Sequence, residues 1–239
     1  MGSRLVKSKL GFANLTGTNL SRADLSRSNL VASCLSGSDL LQANLTGTNL
    51  ENALMHEVRL VEAKLTGTIL ARVHLDDSDL SNSYLEHADL SGTDMSEADL
   101  SRVWIVKADI DEANLSGTDL AGCKMESMNL RGTVMRRAVL RSASLNWMIL
   151  KEVDLRGADL RNAKIDASLL ENVNISGADL RDVDLNRTAL VNVDLSGANL
   201  VGIKYDNLIL PMIASSKLDN AKMSAGLQRD LEILRSGKN

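Results

Sequence analysis

The chain has 239 residues, with 27 basic and 31 acidic side chains and a formal net charge of −4. Because the two signs are interleaved, the charge predicts neither direct nucleic-acid binding nor an extended acidic tail. No apolar run approaches the ~20 residues that span a bilayer, so no membrane association is expected. The chain contains only two cysteines, Cys34 and Cys123, and does not open on a signal-like apolar stretch, which favours a cytoplasmic location.

The first element in chain order is an unbroken five-residue repeat that runs from Leu5 to Leu210. Every fifth residue is apolar: 33 of these 42 positions are Leu, and the others are Met, Ile or Tyr205. The residue two places earlier is mostly small, and the residue between them is often Asp or Asn. Residues two apart in an extended chain share a face, so the small residue and the Leu point inward. Since the other two residues must then turn the chain, the sequence predicts a solenoid.

The spacing of the glycines predicts the length of one coil. Six of the sixteen glycines recur at positions that are equivalent modulo twenty, which predicts four units per coil with these residues stacked at one corner: Gly17, Gly37, Gly117, Gly157, Gly177 and Gly197.

Runs such as Ala23-Asp24-Leu25 and Ala198-Asn199-Leu200 resemble the A(D/N)Lxx signature of the pentapeptide-repeat family, over residues 3–210. The resemblance implies an all-β fold, a right-handed quadrilateral β-helix with four pentapeptides per coil. The 42 repeat positions would then give about ten coils.

The repeat ends near the C-terminus. Its phase breaks at Pro211 and resumes out of register at Leu218. A short helix is predicted after this, with Ser224 as its N-cap and Gly237 as its stop, covering the open end of the stack. The chain is therefore divided into a pentapeptide-repeat β-helix at 3–210 and an irregular last coil with a capping helix at 211–239.

The sequence predicts no catalytic, cofactor or metal site, and the chain is not expected to be an enzyme. On a twenty-residue coil, His56, His74 and His87 are expected on different sides of the rod, where they could not share a metal ion. Cys34 is expected to point outward and Cys123 inward, about 20 Å apart, which excludes a disulfide between them.

One outward column is rich in acidic residues. The column is expected to be a solvated face, and the family resemblance implies an alternative function: a DNA-mimicking protein that binds DNA gyrase, as in quinolone resistance. Basic residues in the same region should dilute the acidic field and make this alternative the less favoured one. The acidic column contains Asp39, Asp79, Asp99, Asp119, Asp159 and Asp179. The basic residues include Arg131, Arg136, Arg137, Arg141, Arg156, Arg161 and Arg181.

Two groups of outward apolar residues predict where a partner binds. In the first group, apolar residues replace Asp or Asn at the outward position of four successive coils, beside Trp147. In the second group, two aromatic residues twenty positions apart are expected to stack on adjacent coils. We therefore expect a non-enzymatic scaffold or protein-interaction module, whose partner is another protein or a second copy of the chain. Two alternatives stay open: the C-terminal segment folds over the strip, and the aromatic pair only stiffens the sheet. The residues concerned are Ile149, Leu169, Ala189 and Ile209, and Tyr84 and Trp104.

Overall fold

Each five-residue unit ends in a tight turn that contains one left-handed residue. The carbonyl of the core residue Leu5 accepts a hydrogen bond from the N–H of Ser8, at 3.3 Å. Between them, Lys7 has φ +56°. A non-glycine residue in this conformation is strained by about 1–2 kcal/mol. The N–H of Lys7 donates to the carbonyl of Ser26 in the next coil, at 3.0 Å, and such bonds between coils offset the strain.

The computed structural model describes residues 2–237. Parallel bridges join outward residues that are twenty apart, from Arg4 with Asp24 up to Asp184 with Lys204, so that one column runs in steps of twenty residues from Arg4 to Lys204. The four units of each coil form four sides. This arrangement confirms the predicted fold class, a four-sided β-solenoid with a C-terminal helix.

Most units bridge their neighbours through one residue, and strands of two or three residues occur from Trp104 onward. Strands β3 to β6 form one parallel four-stranded sheet, whereas β1 pairs with β2 and β7 pairs with β8. The elements are β1 (Trp104–Val106), β2 (Lys124–Glu126), β3 (Asn129–Arg131), β4 (Ile149–Lys151), β5 (Leu169–Glu171), β6 (Ala189–Val191), β7 (Asn199–Leu200), α1 (Leu210–Ser215), β8 (Lys222–Met223) and α2 (Ala225–Ser236).

The interior is a continuous column of buried Leu, Met and Ile side chains, flanked by the small inward residues. Where a small residue is Thr or Ser, its hydroxyl often donates to a core carbonyl of the preceding coil. Thr48 donates to the carbonyl of Leu25 at 2.8 Å, and Thr68 donates to that of Leu45 at 2.9 Å. These hydroxyls are buried because backbone carbonyls of the preceding coil accept hydrogen bonds from them.

The C-terminal end closes through an insertion of three residues. Asp194 bridges Lys217, and β7 pairs with β8, at a separation of 23 residues instead of twenty. The extra length accommodates α1, which the sequence did not predict as a helix. The predicted capping helix is confirmed as α2: Ser224 Oγ accepts a hydrogen bond from the N–H of Leu227 at 3.3 Å, and Gly237 ends the helix at φ +61°. Within the described part of the chain, neither helix has the length and apolar character of a membrane span.

Candidate interaction surfaces

The predicted apolar strip lies on the outward face of the four-stranded sheet. Ile149 pairs with Leu169, and Leu169 pairs with Ala189, in adjacent strands β4, β5 and β6. Ile149 is 38% exposed, whereas Leu169 and Ala189 are partly exposed. Trp147 occupies the left-handed turn position beside Ile149, with φ +56°, and is 57% exposed. Three of the four predicted rungs therefore stack as expected.

The prediction that Ile209 forms the fourth outward rung is wrong. Ile209 is fully buried, because the chain leaves the coil there and begins α1 at Leu210. Helix α1 packs against β6, where Met212 Sδ accepts the backbone N–H of Leu190 at 3.4 Å. The C-terminal segment therefore covers the end of the strip at β6 and leaves Ile149 exposed.

A second outward column borders the strip. It contains Arg131, Lys151, Glu171 and Val191, which pair in the same register as the strip. Lys151 Nζ lies 2.9 Å from Glu171 Oε2, and Val191 is 44% exposed. The face of β3 to β6 thus combines an apolar strip with a row of charges whose sign changes between β4 and β5.

The aromatic pair is placed as predicted. Tyr84 bridges Trp104 on adjacent coils, and both side chains are exposed. The pair lies between two lysines of the same column, Lys64 and Lys124. Lys124 Nζ lies over the Trp104 ring, 4.1 Å from its centroid, which is a cation–π contact. Trp104 therefore already has one partner within the chain.

The acidic column and its arginines form a ladder of ion pairs in the second half of the rod. Arg141 Nε donates to Asp159 Oδ2 at 2.5 Å, and Arg161 donates to both oxygens of the same carboxylate at 2.9 and 2.8 Å. Arg181 pairs with Asp179 in the same way, at 2.9 and 2.6 Å. This part of the column is close to neutral, as the sequence predicted for the mixture of charges.

Asp154 lies on the neighbouring side in a similar arrangement. Burial would raise the pKa of this carboxyl, but hydrogen bonds from Arg156 and Arg136 outweigh burial and lower the pKa to about 2. Arg136 Nε donates to Asp154 Oδ2 at 2.6 Å. The two arginines therefore stabilise the charged carboxylate.

We expect Asp154→Asn to reduce the free energy of unfolding at pH 7 by about 1 kcal/mol, after allowance for solvent screening. The folded-state pKa lies below the usual value of 3.8. The stabilisation is therefore present above that value and is lost as the pH falls toward about 2. Urea denaturation of both proteins across this range measures the difference. A difference that stays constant down to the acid limit would contradict the assignment.

The prediction that the histidines lie on different sides of the rod is wrong for two of them. The rings of His56 and His74 stack with centroids 5.3 Å apart. His56 Nδ1 also lies 2.6 Å from Asp76 Oδ1. Only His87, beside Glu86, lies elsewhere. The prediction considered only residues twenty apart, whereas a turn residue also lies beside the outward residue eighteen positions later.

This diagonal neighbour recurs along the rod. The spacing of eighteen residues places Thr16 Oγ1 at 3.1 Å from Cys34 Sγ. The same spacing accounts for two contacts described above. Those are the hydrogen bonds of Arg136 with Asp154 and of Arg141 with Asp159.

The two cysteines are both free, as the spacing argument predicted. Cys34 points outward, and the hydrogen bond with Thr16 lowers the pKa of its thiol. Cys123 replaces a small inward residue, and burial raises the pKa of its thiol to about 12.

We expect one thiol to react in the folded protein and two to react after unfolding. Cys34 is partly exposed, whereas Cys123 is buried and protonated at neutral pH. Mass spectrometry after iodoacetamide treatment, with and without urea, counts the alkylated sites. Rapid alkylation of Cys123 in the folded protein would contradict its placement in the core.

Comparison with known proteins agrees with this geometry. A model described as pentapeptide repeats matches eight copies of the repeat, and the chain therefore belongs to the pentapeptide-repeat family. The matched residues are 3–42, 33–72, 68–104, 118–157, 138–177 and 168–204. No curated protein sequence matches the chain significantly.

Several solved structures are similar to the chain. HetL from the cyanobacterium Nostoc sp. PCC 7120, described as involved in regulating heterocyst differentiation, is 25% identical over 92% of this chain and 87% of its own, with a TM-score of 0.40. QnrB1, a plasmid-mediated fluoroquinolone resistance protein, is 17% identical over 85% of this chain and 95% of its own, with a TM-score of 0.49. The Nostoc protein alr5209 is 32% identical over 39% of this chain and 70% of its own, with a TM-score of 0.21.

Proposed function

We propose that the chain is a non-enzymatic scaffold that binds protein through the outward face of β3 to β6, and that a second copy of the chain occupies this face. The observation that carries the proposal is the row of three apolar rungs formed by Ile149, Leu169 and Ala189. In the same column, earlier coils carry polar residues such as Asn49, Asp89 and Asp109, with Ile69 as a single apolar exception. A column that changes from polar to apolar without entering the core is typical of a contact surface.

The charges beside the strip favour a second copy as the partner. Consider two rods packed face to face and antiparallel, related by a two-fold axis that passes between β4 and β5. Each Ile149 then lies opposite the Leu169 of the other copy, and each Lys151 lies opposite the other copy's Glu171. The face is therefore complementary to itself in both apolar surface and charge, as an isologous dimer requires.

The strip alone is too small for a stable dimer. A standard interface buries about 800 Å² on each partner, more than three rungs supply. The flanking side chains of Trp147 and Val191, both well exposed, would extend the contact on either side. Exposed tryptophan is enriched among the residues that dominate binding energy. The proposed interface therefore consists of the strip, these two residues and the charged row.

A charge exchange tests the proposed dimer. Lys151→Glu and Glu171→Lys each place like charges opposite one another across the interface, so each single variant should dissociate the dimer. The double variant restores the pairs between chains and also the pair within the chain, which measures 2.9 Å in the wild-type protein. Sedimentation velocity measures the dimer fraction of all four proteins. Retention of the dimer in both single variants, or its loss in the double variant, would contradict the proposal.

Binding of DNA gyrase as a DNA mimic is the alternative function. It is supported by the carboxylates of Asp79, Asp99 and Asp119, which lie in one column on consecutive coils. The pairing of Asp159 and Asp179 with arginines shortens this acidic stretch and makes the alternative weaker. Inhibition of gyrase supercoiling by the purified protein, lost in Asp99→Asn, would favour the alternative.

A further inference from the structure

Two imidazoles and one carboxylate meet outside the β3 to β6 face, on coils that precede β3 along the rod. His56 occupies a turn, His74 is the outward residue of the next coil, and Asp76 stacks directly on His56, twenty residues later. One ligand atom from each of the three side chains lies within 4.8 Å of the other two. The arrangement follows from the coil, because positions separated by 18 and 20 residues are neighbours.

The donor set matches a first-row transition metal. Neutral imidazole and carboxylate are the ligands that Zn²⁺ and its neighbours bind in proteins, and two histidines with one carboxylate leave further positions open. Zn–N bonds of about 2.0–2.1 Å require donor atoms roughly 3.3 Å apart in a tetrahedral site. His56 Nδ1 and Asp76 Oδ1 lie 2.6 Å apart in a hydrogen bond, so these two atoms would move apart by roughly 0.7 Å to bind one ion. The ligand atom of the exposed His74 lies within 4.8 Å of both and would move closer to them.

The surrounding charge favours a cation. Glu57 follows His56 and Asp77 follows Asp76 in the sequence, and Asp94 bridges His74 on the next coil. These carboxylates make the local potential negative. Asp94 is not counted as a metal ligand, because its Oδ1 already accepts hydrogen bonds from Ser96 and Asn114.

We propose that His56, His74 and Asp76 bind one Zn²⁺ ion, with the remaining coordination positions open to water or to a ligand from another molecule. The site joins two successive coils, so that bound metal should stabilise the fold as well as attract a ligand. The proposal does not depend on the proposed dimer, because the residues involved lie outside its face.

The test uses the full chain without a polyhistidine tag. Titration with Zn²⁺ in a calorimeter should give one site per chain, and Co²⁺ should give the visible absorption of a low-symmetry complex. His74→Ala should weaken Zn²⁺ binding by at least about tenfold, since loss of an outer-shell partner alone costs this much. The Asp76→Asn variant should weaken it as well.

His87 provides the matched control. It is exposed, lies beside the carboxylate of Glu86 and occupies a left-handed turn position that asparagine adopts readily. His87→Asn should leave Zn²⁺ affinity and stoichiometry unchanged, and thermal unfolding without metal should show that all variants are folded. The proposal is overturned if wild-type protein binds no Zn²⁺, if His74→Ala binds it as tightly as wild type, or if His87→Asn weakens binding equally.

Discussion

Leu170→Asp is expected to abolish cooperative folding, whereas Leu169→Asp is expected to leave it nearly intact. Leu170 points into the core and is 1% exposed, while Leu169 points outward in the same strand, β5. An unpaired carboxylate at Leu170 should reduce the free energy of unfolding by roughly 4 kcal/mol or more, because the buried residues in the described part of the chain include no Lys or Arg that could pair with it. At Leu169 the cost should be below about 1 kcal/mol, since Asp is common at outward positions of this chain.

Urea denaturation followed by circular dichroism measures both variants. The comparison is closely matched, because the original residue, the substituted residue and the strand are the same. Similar midpoints for the two proteins would show that the repeat is out of register with the assigned core.

The second large effect is expected at the C-terminal cap. Leu227 is fully buried on the inner face of α2, whereas Ile233 in the same helix is 47% exposed. Leu227→Ala should reduce the free energy of unfolding by about 3 kcal/mol, through lost burial and the cavity that it leaves. Ile233→Ala should change it by no more than about 0.5 kcal/mol.

Chemical denaturation distinguishes the two outcomes, and light scattering reports on association. Loss of the cap would expose the edge of the last coil, which is a template for pairing with other chains. If Leu227→Ala is as stable as Ile233→Ala, then α2 does not hold the end of the stack.

The repeat predicted a solenoid, because every coil repeats one pattern of inward and outward positions, and the family resemblance implied that it is a four-sided β-helix. The glycine spacing predicted the twenty-residue coil, and the six glycines at one corner all have positive φ. Many other residues adopt the same conformation without being glycine, for example Lys7 and Trp147. Glycine therefore marks the turn position without being required there.

Two kinds of feature could not be predicted from the five-residue pattern: the structure after the repeat ends, and contacts between residues that are not twenty apart. Helix α1 is short and contains Pro211 at its start, so in the sequence it looks like an interruption of the repeat. Ile209 keeps the spacing of an outward residue, although it is buried. The contact of His56 with His74 was also missed, because it needs the diagonal neighbour eighteen residues away. Reading both the direct and the diagonal spacing would have found it.

The direction and register of the dimer provide the most direct test of the proposed function. A spin label on Cys34 reports on this, since Cys123 is buried and would not be labelled. With a rise of ~4.8 Å per coil, an antiparallel pair centred between β4 and β5 places the two labels roughly 60 Å apart. Double electron–electron resonance should give this distance in wild-type protein, and the signal between chains should disappear in Leu169→Asp. The proposed dimer would be contradicted if wild-type protein gave no dipolar signal between the labels of two chains, or if it gave the much shorter distance expected of parallel rods.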